Sequence, residues 1–102
     1  MRPRVFQNRA AAIGGIILLR PKVLDVNPLL DYKLMVFFDS GEKKVFNVEP
    51  YISGDWFGKL KDSEFFKAVR IAGNTVVWPD GQDIAPHELY DYSVSVVEEE
   101  IV

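Results

Sequence analysis

Cysteine is absent from the 102 residues. That removes disulfides, thiolate metal sites and cysteine nucleophiles together. It also fits a reducing cytoplasm, where paired thiols are uncommon. Histidine occurs once, at His87. A serine triad would have to use it as base, and no Gly-x-Ser-x-Gly elbow presents a serine. Phosphate-cradling loops are missing too, because Gly14-Gly15 and Gly73 match neither nucleotide fingerprint. Basic charge is in deficit: 12 Lys and Arg stand against 15 Asp and Glu, for a net charge of −3. Nucleic-acid binders carry a basic excess, so direct nucleic-acid contact is not expected. The basic residues Lys59, Lys61, Lys67 and Arg70 are broken up by Asp62 and Glu64 and read as a mixed solvated surface.

What remains is an ordinary globular composition, 48% apolar and 26% charged. The length suits one domain, able to bury roughly two-thirds of its unfolded surface. Residues 1–20 read differently from the rest. Arg2, Arg4 and Arg9 precede the apolar run 10–19, a pattern like the first two regions of a signal peptide. Arg20-Pro21 follows directly, with no small-residue cleavage site. Ten apolar residues are also too few to cross a bilayer, which takes about twenty. The segment is expected to add a strand, cover an edge, pack on a partner copy, stay disordered, or precede a natural start near Lys22.

From there the chain is read as a single α+β domain over 21–97 with an acidic tail over 98–102. Residues 23–26 form a short β-rich run ended by Asn27-Pro28. Residues 32–48 form the main hairpin, turned at Asp39-Ser40-Gly41-Glu42, where Asp39 can bond nearby backbone and Gly41 can take positive φ. Leu34, Val36 and Phe38 fall on one face of its first strand, and Lys33, Met35 and Phe37 on the other. Both faces are largely apolar, which predicts a central strand covered on two sides. Lys43 and Lys44 are expected to be solvated. Glu49-Pro50-Tyr51 predicts a helical turn with Pro at its start, and Asp62 caps a helix start at Ser63-Glu64-Phe65. A strand over 66–72, a two-residue Gly73-Asn74 loop and a return over 75–78 make a second hairpin. Pro86 opens a last short helix, and 93–97 is a strand or a tail. The fold class is α+β: a small antiparallel meander of about five strands in two hairpin units, with two or three short helices, in two layers.

In this order the elements resemble the bacterial domain of unknown function 2442 family. The matching stretches are 23–28, 31–48 with Pro50, 66–71, and above all Val77-Trp78-Pro79-Asp80-Gly81-Gln82-Asp83-Ile84-Ala85-Pro86-His87-Glu88-Leu89-Tyr90. Residues 1–20 depart from the family pattern, where the first strand lies near the start. The resemblance implies a small α+β fold with an antiparallel meander and short helices, and it does not imply an enzyme activity. Some relatives resemble partners encoded beside a second small protein in a toxin–antitoxin-like arrangement.

Two constellations stand out. Asp80, Asp83, His87 and Glu88 place three carboxylates and the histidine within nine positions. Such groups can share a divalent ion or work as acid and base. The spacing matches no zinc motif, and each carboxylate has a turn or helix-start role, so a structural polar cluster is the simpler reading. Trp56 and Phe57, bracketed by Gly54 and Gly58, are candidate partner-binding aromatics, whereas Trp78 ends an apolar strand and belongs to the core. The reading is a non-enzymatic protein-interaction module without cofactor or metal, with a protein partner such as the product of an adjacent gene, and with homo-oligomerisation open to it. The alternative is a small ligand-binding or enzymatic domain using residues 80–88.

Overall fold

The structure, a computed structural model, describes residues 20–96. The expected amino-terminal extension, apart from Arg20, and the acidic tail lie outside the described residues. Six strands form: β1 (Val23–Leu29), β2 (Lys33–Phe38), β3 (Lys43–Asn47), β4 (Arg70–Ala72), β5 (Thr75–Val77) and β6 (Val94–Ser95). Three short helices, α1 (Gly54–Phe57), α2 (Ser63–Lys67) and α3 (Pro86–Asp91), are joined by 3-10 turns at Leu30–Tyr32, Glu49–Tyr51 and Gly58–Lys61. An antiparallel sheet has the order β1-β2-β3-β6, and β4-β5 stand apart as a hairpin. The α+β class and the meander are as expected; the sixth strand comes from Val94–Ser95 closing onto β3.

Alternation along β2 and β3 decides which sheet face becomes the core. Leu34, Val36, Phe38 and Phe46 are fully or nearly fully buried, and they join Val23, Val48, Leu60, Phe66, Val76, Trp78, Ile84 and Leu89 in one cluster. Trp78 sits at its centre with no exposed surface, its indole N–H donating to the Phe66 carbonyl at 2.9 Å. A buried indole needs such a partner.

Three expectations are corrected. β1 does not stop at Asn27-Pro28 but continues to Leu29. Among the described residues it is an edge strand, so Pro28 interrupts no second ladder there, and the Val26 N–H is taken by the Asp25 carboxylate at 2.9 Å. Phe66 does not begin a strand. The Asp62 carboxylate accepts from the Glu64 N–H at 2.9 Å, which caps α2, and Phe66 packs at 5.4 Å from Tyr32 and 5.8 Å from Trp78. Only Arg70–Ala72 is left as strand. Lys44 is not solvated. Its exposure is 8%, its ammonium donates to the Tyr90 carbonyl at 2.8 Å, and it lies 3.8 Å from the Tyr90 ring centre. β-Strand alternation puts Lys44 on the core face, and its aliphatic stem fills that space while α3 takes up its charged end.

Candidate functional site

The second face of the four-stranded sheet is the largest difference from expectation. Directly paired residues share a face, so the register defines three rows across it. Asn27, Met35, Val45 and Val94 form the middle row. Asp25, Phe37 and Lys43 lie on one side of it, and Leu29, Lys33 and Asn47 on the other. Met35, Phe37 and Val45 are half-buried, Val94 is 69% exposed, and none of the four is in the core cluster or among the described residues that pack against it. The Lys43 ammonium lies 5.9 Å from the Phe37 ring centre. At this end a shallow groove of about 400 Å³ runs between Phe37, Lys43, Glu42 and the strand end at Ser95-Val96. β2 is central, then, but covered on one side among the described residues. The result is an apolar stripe rimmed by lysines, amides and the carboxylate of Asp25.

Trp56, a candidate from sequence, is 50% exposed. Its indole N–H reaches the Asp80 carbonyl at 3.3 Å, and its backbone carbonyl accepts from the Gln82 side chain at 2.7 Å. Gly81, at φ +94°, lies under the ring, where an added Cβ would come 3.7 Å from Trp56 Cζ2. Phe57 is half-buried, edge-on to Trp56 at 5.3 Å, and packs against the core. One face of Trp56 therefore holds the 79–82 turn and the other meets solvent, on the helical layer opposite the open sheet face.

Asp80, Asp83, His87 and Glu88 are dispersed. Asp80 pairs with Lys59. Asp83 forms an isolated backbone bridge to Val77 and is exposed. Glu88 accepts from the Tyr51 hydroxyl at 2.7 Å and lies 3.9 Å from His87 Nε2. Among the described residues no group of three His, Cys, Asp or Glu side chains is arranged to hold a metal ion.

Other polar contacts fasten α3 to the sheet. Burial, reinforced by the bond to Glu88, pushes the Tyr51 hydroxyl up to about 12. Burial and the 2.7 Å bond to Glu42 push Tyr90 up as well. At the end of α3, Arg20 grips Asp91 through two hydrogen bonds of 2.6 and 3.3 Å, which holds the Asp91 carboxyl below its ordinary value. Little in the sequence warns of this arrangement, since Lys44 and Glu42 lie 46 and 48 residues from Tyr90. Strand parity was the one signal, placing Lys44 on the face of Phe46.

A family model described as "Protein of unknown function (DUF2442)" matches residues 23–95, more than half of the chain. No curated protein and no solved structure matches. Among the described residues no helix is long and apolar enough to cross a membrane.

Proposed function

The chain belongs to the DUF2442 family of proteins of unknown function, and we propose that it is a non-enzymatic interaction module that binds a second protein across the open face of its sheet. The observation that carries this reading is the Met35-Val45-Val94 row, apolar, continuous over three strands and outside the core cluster. Such a patch costs solvation free energy when left bare, and its burial on association is favourable. The rim carries charge of both signs, Lys33 and Lys43 with Asp25, so a partner with complementary charges around an apolar centre is favoured, because complementary rims steer association. A toxin–antitoxin-like pair, with the partner encoded by the adjacent gene, is the arrangement this reading assigns to it, in the cytoplasm. Trp56 offers a separate exposed aromatic on the helical layer. No observation favours a ligand-binding or catalytic role for the residues of 80–88, whose side chains do not converge.

The test is co-expression with the adjacent gene product followed by co-purification. A complex is expected, and it should be lost in the Val45→Lys variant. A pair that never associates sinks the proposal.

A further inference from the structure

A second surface lies at the opposite end of the hairpin from the Asp39–Glu42 turn. Between β1 and β2 the chain turns through Leu30, Asp31 and Tyr32, and both Asp31 (φ 62°) and Tyr32 (φ 59°) adopt the left-handed conformation. Asp tolerates this region, whereas Tyr does so only under restraint. The restraints are present. The Tyr32 hydroxyl donates to the Lys61 carbonyl at 2.7 Å, the Tyr32 carbonyl accepts from the Val48 N–H at 2.9 Å, and the ring packs edge-on to Phe66. The strained turn holds Leu30 outward, 87% exposed. Leu30 forms one wall of a groove of about 670 Å³ whose lining also includes Pro28, Leu29, Tyr32 and Phe66, with Asp31 and Lys67 as its charged members.

We infer that this end of the molecule is a self-association surface, in which Leu30 of one copy enters the groove of a second copy and receives that copy's Leu30 in return. A protruding leucine on the wall of the groove it would fill in a second copy meets the requirement of a two-fold, isologous contact, in which each patch meets its own counterpart. The charges are self-complementary as well. Among the described residues no side chain pairs with the Asp31 carboxylate, and Lys67 has only a loose 3.8 Å contact to Glu64. Across a two-fold axis Asp31 of each copy faces Lys67 of the other. The surface shares Leu29 with the edge of the open sheet face but Leu30 lies outside that face, so the Leu30 variants test this proposal alone.

Sedimentation of the full chain over a concentration series reads this directly. A weak dimer, half-formed at roughly tens to hundreds of micromolar, is expected for so small a contact. Leu30→Asp weakens it at least about a hundred-fold, because both leucines are lost from the contact. Leu30→Ser repeats the loss without adding charge. Both variants keep the thermal midpoint and the binding of the adjacent gene product. Asp31→Asn and Lys67→Gln each weaken the dimer by about two- to five-fold, and the double variant is no weaker than the worse single one. A wild-type chain that stays monomeric throughout the series, or a dimer indifferent to both Leu30 variants, overturns the inference.

Discussion

The two faces of the sheet are made by the same strands and differ in everything but backbone. Leu34, Val36 and Phe46 carry no or almost no exposed surface, and they pack against Trp78, Leu60 and Leu89. Met35, Phe37 and Val45 alternate with them and lie outside the core cluster. A one-residue step along β2 thus separates a side chain that holds the fold together from one that is available for binding. Hydrophobicity alone does not distinguish them; the covering layer does. That layer is fixed by polar anchors that sit on the core side: Lys44 to Tyr90, Tyr51 to Glu88, Tyr90 to Glu42 and Trp78 to Phe66.

The contrast can be broken most forcefully at its packed side. Trp78→Ala should cost about 3–5 kcal/mol, as for large-to-small changes in well-packed cores. Met35→Ala on the open face should change stability by less than about 1 kcal/mol. Urea unfolding of the two variants side by side checks both values, and equal losses would mean that the open face is not open. Next in size is Lys44→Ala, which removes a cation from above the Tyr90 ring and one of two donors to the Tyr90 carbonyl, leaving the Ser93 hydroxyl at 2.9 Å, at about 1–3 kcal/mol. Lys44→Met keeps the stem's volume and should cost less than the alanine variant in the same assay. A smaller effect appears at high pH. Tyr51 and Tyr90 titrate above the ordinary tyrosine value in the folded chain, so their contribution is fully present below about pH 10. For Tyr51 it is lost as the pH rises from there to about 12, and Tyr51→Phe should flatten that part of the stability profile. The smallest effect is at Asp91, depressed by Arg20. Its contribution is present above the ordinary carboxylate value and lost as the pH falls, and added salt should abolish the difference between Asp91→Asn and wild type, as for other exposed pairs.

The parts of the fold legible in the sequence were those written locally. Gly41 and Gly73, both at positive φ, mark turns that only a few residue types can make. Asp62 and Pro86 mark helix starts, and each does so in the structure. The misread parts depended on neighbours distant in sequence. Pro28 is tolerated because β1 lies at an edge. Phe66 is helical because a capped α2 carries it between Tyr32 and Trp78. Lys44 is buried because α3, more than 40 residues later, supplies its acceptor. The candidate site followed the same rule. Two apolar faces on β2 were visible from alternation, but which one would remain uncovered depended on where three short helices came to rest. The groove beside Leu30 was invisible, since nothing in Leu-Leu-Asp-Tyr announces two consecutive left-handed residues.

The central claim, that one face builds the molecule and the other binds, is tested most directly by making the single variant Met35→Glu and measuring two quantities on it. These are the affinity for the adjacent gene product, by titration calorimetry, and the urea midpoint. The expected result is an affinity reduced at least about a hundred-fold, as for a charge placed at the centre of an apolar contact, with an unchanged midpoint. Wild-type affinity, or a binding loss that comes only with unfolding, would contradict the claim.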